Sequence, residues 1–216
     1  MMFIVFLTLS ALLYSTSGTS ERLFSSDFRA PNPPAVLAEY QASFVQHKWD
    51  ASGISHIVSG TIYANLRRQR LRMDITYDGV IASSLFDYEN ANIDGTVPNY
   101  IYTLSPTIAS PGVCAQYNVT PAYPLFPPNI LIDSDAAFTG LATDNLFYSD
   151  QQPLWSWGLS IGGVSVTVFL DRNNTAVRID FSAPGGTFTT TRLFNIIAGS
   201  PNDTLFEYPC RLDDIR

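Results

Sequence analysis

The chain has 216 residues, of which 46% are hydrophobic and 14% charged, and a formal net charge of −7. An acidic balance, with no basic cluster beyond Arg67, Arg68, Arg70 and Arg72, argues against a nucleic-acid partner. Those four arginines read as a solvated turn and strand face.

Phe3 to Tyr14 is an uncharged apolar run followed by small and polar residues from Ser15 to Ser20. It is shorter than the ~20 residues of a membrane-spanning helix, so a cleaved leader is favoured over an anchor, even though no Lys or Arg precedes it. Cleavage between Ser17 and Ser20 is expected, leaving a leader over residues 1–19 and a single β domain over 20–216. Only two cysteines are present, Cys114 and Cys210, and in an oxidising compartment an even pair invites a disulfide. Sequons at Asn118, Asn173 and Asn202 point to the same route, each expected in an exposed loop. The expected localisation is extracellular or the lysosomal lumen.

Phe24 to Pro34 reads as loop, broken by Pro31, Pro33 and Pro34. Leu37 to Trp49 has the residue types of a first strand, with Tyr40, Ala42 and Phe44 on one face. Ile57 to Tyr63 is a β-branched run, and from Arg70 to Tyr77 the alternation is clean: Leu71, Met73, Ile75 and Tyr77 fall opposite Arg70, Arg72, Asp74 and Thr76. Asp78-Gly79 favours a tight hairpin turn into a fourth strand that ends at Leu85–Tyr88. The polar turn Asn90 to Pro98 imitates the first half of a calcium loop through Asn90, Asn92, Asp94 and Gly95. Its twelfth position is Ile101 instead of a bidentate Glu, and no helices flank it, so no metal is expected there.

Tyr100 to Leu104 is a further short strand. Ser105 to Pro128, crowded with prolines, reads as irregular: either part of it packs as a short helix, or a disulfide and a neighbouring surface hold it down, the second being favoured, with Asp133 to Phe138 as a single helical turn. Thr139 to Leu159 carries a strand with Trp155 and Trp157. Val164, Val166, Val168 and Leu170 alternate with polar neighbours, turn at Asp171 to Asn174, and return as Val177, Ile179 and Phe181. Phe188 to Gly199 is a last strand or short helix. Helical periodicity is nearly absent, so the expected fold is mainly β. It is a large curved antiparallel sheet of roughly nine to eleven strands, a half-barrel with a few short helices covering an apolar cavity.

No catalytic constellation is found. His47 and His56 lack a Cys or acid at metal-ligand spacing, and there is no Gly-x-Ser-x-Gly elbow, His-Glu-x-x-His helix or phosphate-cradling loop. Pairs such as Asp133 and Asp135, or Asp213 and Asp214, lack distinguishing context. Neither an enzyme nor a cofactor is expected.

Thr191 to Ile196 and Leu205 to Cys210 together resemble the closing signature of the ependymin-related proteins. Gly60 to Tyr63 followed by Arg70 to Asp74, Tyr100 to Tyr102 before Cys114, and the Gly140 to Trp157 block agree in order and spacing. The resemblance spans about Pro34 to Cys210. It implies an eleven-stranded sheet like that of bacterial periplasmic lipoprotein carriers, with a deep hydrophobic pocket between sheet and helices. It also implies a lipid-type ligand, dimerisation, and secretion or lysosomal residence. By position, Cys114 and Cys210 match that family's disulfide joining mid-chain to C-terminus, whereas the family's other cysteines are missing, which marks a divergent member.

The resulting expectation is a glycoprotein that binds a lipid or other apolar small molecule, with transient membrane contact and a homodimer admitted as partners. Leu71, Met73, Ile75, Trp155, Trp157, Val164, Val166, Val168, Val177, Ile179 and Phe181 are expected on one concave face lining the cavity. The alternative is an adhesive or extracellular-matrix glycoprotein whose apolar strands form only a packed core.

Overall fold

Eleven antiparallel strands form one sheet in the spatial order β6-β5-β4-β3-β2-β1-β11-β10-β9-β8-β7. In this computed structural model the strands are β1 Tyr40–Trp49, β2 Ser55–Asn65, β3 Arg70–Tyr77, β4 Val80–Asp87, β5 Val97–Leu104, β6 Val113–Val119, β7 Ala137–Ala142, β8 Leu154–Ile161, β9 Val164–Leu170, β10 Ala176–Ser182 and β11 Phe188–Ala198. The structure describes residues 29–77, 79–104, 112–119, 125–144, 153–161, 163–183 and 185–208. Pro31 to Arg216 forms one compact unit. The sheet is curved and unclosed, with β6 and β7 as its edges.

Topology follows from local hairpins. β1 to β6 descend as a meander, β7 to β11 form a second one, and the two join where β1 pairs with β11. Gly79 adopts φ +78 in the β3–β4 turn, which the Asp-Gly sequence allows at little steric cost.

The mainly β fold expected from sequence is observed, with differences at several elements. Within the stretch read as irregular, Val113 to Val119 pairs along β5. The helical turn is α1, Ile130–Asp133, and Ala137 already belongs to β7. The single strand read between Thr139 and Leu159 is a pair, β7 and β8.

The apolar side chains of the two meanders face inward beneath a cover formed by the Leu125–Ala136 segment. Phe126, Leu131 and Ala136 bury themselves with Val36 against Trp157, Leu159, Val166, Val168, Leu170, Ala176 and Ile179. On the other half, Ala42, Phe44, Ile62, Ala64, Leu71, Met73, Phe86, Val97 and Leu193 form a second cluster that Leu125 touches. The Val36 amide donates to the Pro128 carbonyl at 2.8 Å, tying the N-terminal extended segment to the cover.

On the opposite face, β3 presents Arg70 and Arg72 and is crossed by the C-terminal segment. Arg72 Nη1 donates to the Leu205 carbonyl and Arg70 Nη1 to the Phe206 carbonyl, both at 3.0 Å. Phe206 is fully buried, and Arg67 and Arg68 pair with Asp203. Arg70 and Arg72 are therefore largely covered and not the solvated strand face their spacing suggested, because Leu205 and Phe206 need a surface against which to bury.

Candidate functional site

Alternation along four neighbouring strands builds an apolar groove at the end of the sheet away from the cover. Gln46 pairs with Val58 across β1 and β2, Gly60 with Ile75 across β2 and β3, and Met73 with Ser84 across β3 and β4. Cross-strand partners share a face. Val58, Met73, Ile75 and Phe86 therefore form a floor, with Lys48, Asp50, His56 and Tyr77 also lining the groove, whose volume is about 500 Å³. That is within the size range of small-ligand sites.

The buried polar groups in the floor are satisfied. Gln46 Nε2 donates to Thr191 Oγ1 at 2.9 Å, and Ser84 Oγ to Asn99 Oδ1 at 2.7 Å. At the rim, the Tyr77 hydroxyl lies 2.9 Å from His56 Nδ1, and His56 Nε2 lies 3.9 Å from Asp50. Asp50 accepts from the Ser52 hydroxyl and from the amides of Ser52 and Ile54. The Ser52 hydroxyl bond leads in holding its carboxyl below the usual range, with the backbone bonds and His56 helping against desolvation. This arrangement can seat an apolar body on the floor and place a polar end against the amine, carboxylate and imidazole.

Beneath the cover there is little room. Tyr40, Ala64, Leu71, Leu125, Phe126, Ile179, Phe181 and Leu193 are among the residues enclosing a space of about 20 Å³, enough for about one water. Burial pushes the Tyr40 phenol up to about 12. The deep pocket between sheet and helices implied by the family resemblance is, among the described residues, a nearly filled core beside an outer groove.

Leu71, Met73 and Ile75 line the half with the groove; Leu71 is under the cover and the other two are in the groove. Trp157, Val166, Val168 and Ile179 lie in the cluster on the other half, with Val164 and Phe181 packed against it. Val177 departs from its expected face. A β-bulge between Ala176 and Arg178 inserts it as an extra residue, turning it to pack with Leu154 and Phe169 on the other side of the sheet. Trp155 is 41% exposed and lines a separate groove with Trp157. Gln46, Lys48, Val58, Ser84 and Phe86 were not singled out from sequence, although Gln46 continues the Ala42, Phe44 alternation.

Asn173 is exposed in the β9–β10 turn. Asn118 is exposed too, but on edge strand β6 instead of in a loop, and Asn202 is exposed, its Oδ1 accepting from the Thr204 amide and hydroxyl. Cys114 sits on β6, whereas Cys210 lies outside the described residues, as do the leader and its expected cleavage point. In the calcium-like turn, Asp94 Oδ1 accepts from the Thr96 amide and hydroxyl. Among the described residues no group of three His, Cys, Asp or Glu could hold a metal ion, and no helix is long and apolar enough to cross a membrane.

No protein-family model and no curated protein matches the chain. Among solved structures it is similar to an uncharacterized conserved protein from Thermus thermophilus, with a TM-score of 0.48 and 10% identity over 83% of this chain and 90% of that one. It is also similar to a LolA superfamily protein from Nitrosomonas europaea, with a TM-score of 0.38 and 7% identity over 79% and 90% of the two chains. A third similarity, to PNGF-II, has a TM-score of 0.32 and 7% identity, and covers 78% of this chain but 30% of that one.

Proposed function

We propose that the protein is a secreted or luminal glycoprotein of ependymin-related type that carries a lipid or other apolar small molecule on the concave face of its sheet. The observation that carries this reading is the groove floored by Val58, Met73, Ile75 and Phe86. Val58 and Ile75 are only partly buried where they pack against Met73 and Phe86, so together they border an open groove of about 500 Å³, and Lys48 and His56 stand where a ligand's polar end would emerge. The role is binding and transport, with no covalent chemistry.

A disulfide between Cys114 and Cys210 belongs to the same proposal. Its support is the course of the C-terminal strap: the Tyr208 ring packs edge-on against Tyr100 of β5 with centroids 4.5 Å apart. Tyr102, two residues further along β5, pairs with Cys114 of β6, and Cys210 is two residues beyond Tyr208. Glycans on Asn118, Asn173 and Asn202 fit their exposure.

Solvent extraction of the purified protein followed by mass spectrometry tests the carrier role. A bound lipid near one equivalent is expected; an extract with no lipid above background, from protein made in its own secretory pathway, would contradict it. The nearly filled space under the cover favours one rival, an adhesive or matrix glycoprotein with a packed core. On that reading, the extract is empty and the delipidated protein takes up no apolar probe.

A further inference from the structure

We propose that the groove beside Trp155, on the opposite half of the sheet from the lipid groove, is a saccharide-binding site. Its volume is about 480 Å³, and it is lined by Asn32, Leu141, Trp155, Trp157, Asp171, Arg172 and Asn174, with prolines at 34 and 153. Trp155 is 41% exposed although it is a large apolar side chain on a paired strand, where burial against neighbours would be favourable. Phe138 packs against both indoles, with centroid distances of 5.6 Å to Trp155 and 5.3 Å to Trp157, which fixes the platform from behind. Trp157 is itself buried, and its Nε1 has no acceptor among the described residues, leaving a donor unsatisfied in a residue that lines the groove.

The polar residues are held in place before any ligand arrives. Asp171 Oδ1 accepts from the amides of Asn173 and Thr175 at 2.8 and 2.9 Å, locking the β9–β10 turn on which Arg172 and Asn174 sit. Asn174 takes φ +57, a conformation that asparagine tolerates. Among the described residues Arg172 makes no ion pair.

A sugar ring matches this combination. One face of it carries C–H groups that lie against the electron-rich face of an indole, while its hydroxyls offer donors and acceptors to two amides, a carboxylate and a guanidinium. An acyl chain would leave those four polar groups unused. A nucleotide could stack as well, but its phosphates would meet one arginine beside Asp171.

The test titrates the full-length protein with chitobiose and with a hexuronate disaccharide, following tryptophan fluorescence and backbone amide shifts. A saturable change is expected, with shifted amides confined to residues 32–34, 153–157 and 171–174. Trp155→Ala should weaken binding at least about tenfold and Trp155→Phe should restore most of it, whereas Arg172→Ala should reduce binding of the hexuronate more than of chitobiose. Ile75→Trp, which fills the other groove, should leave the titration unchanged. Binding that emerges only in Asn173→Gln would mean that the protein's own glycan occupies the groove, which supports the site equally. The proposal is overturned if neither sugar produces a saturable change at millimolar concentration in either protein, if the shifted amides lie elsewhere, or if Trp155→Ala binds as the parent does.

Discussion

Asp87 is fully buried, its Oδ2 lying 3.5 Å from Arg70 Nη2 and accepting from the Tyr208 hydroxyl at 3.0 Å and the Asn90 side-chain amide at 2.9 Å. Removing Arg70 strands that carboxylate without its counter-charge, and breaking a buried pair in this way costs far more than an exposed pair is worth. Arg70→Met should lower unfolding free energy by about 3 kcal/mol in urea denaturation. Arg67→Ala, whose pair with Asp203 is exposed, should stay within about 0.5 kcal/mol. Tyr40 supplies a pH test. Its folded pKa is raised to about 12 by burial, so its stabilising contribution is intact below the unfolded phenol's value near 10 and is lost as pH rises toward 12. Stability measured by thermal melts should therefore fall between those pH values, and Tyr40→Phe should make the fall shallower.

At the scale of elements, Gly60 sits where β2 leaves no room for a side chain against β3. A Cβ there would run into the Asp74 carbonyl oxygen of the partner strand, and the same site lies beside Phe44 and Ile75 in the register. Gly60→Ala should destabilise the protein by at least about 2 kcal/mol through overpacking, read as a lower melting temperature, whereas Gly53→Ala, in open space but at φ +80, should cost only the strain of its turn. The strands legible in the sequence are those with one dry face: β3, β9 and β10 announce themselves by period two. β6 does not, since Val113 to Val119 is an edge strand with exposed residues on both faces, so burial imposes little pattern on it. The face of Val177 was illegible for another reason, because a bulge shifts the alternation by one residue without changing the composition around it. The groove was half legible: Met73 and Ile75 follow from their strand, but Gln46 and Ser84 are polar residues on an apolar face, explained only by partners 145 and 15 positions away.

Across the whole molecule, two meanders share one sheet, a short cover packs on the apolar side of both, and a C-terminal strap crosses β3 to β5 on the other side. If Cys114 and Cys210 are bonded, that strap is covalently anchored to edge strand β6, and the closed loop of roughly a hundred residues is worth about 4–5 kcal/mol in the chain-entropy model. Cys114→Ser and Cys210→Ser should then lower the melting temperature equally, and labelling of both thiols in the native parent would refute the bond. The cover leaves one end of the concave face as a groove, and the carrier reading depends on that groove accepting an apolar body. The most direct measurement is titration of an apolar fluorescent probe into delipidated parent and into Ile75→Trp, with melting temperatures taken alongside. Saturable binding by the parent, lost in Ile75→Trp while its melting temperature holds, is the predicted result; no binding by the parent, or equal binding by both proteins, would contradict it.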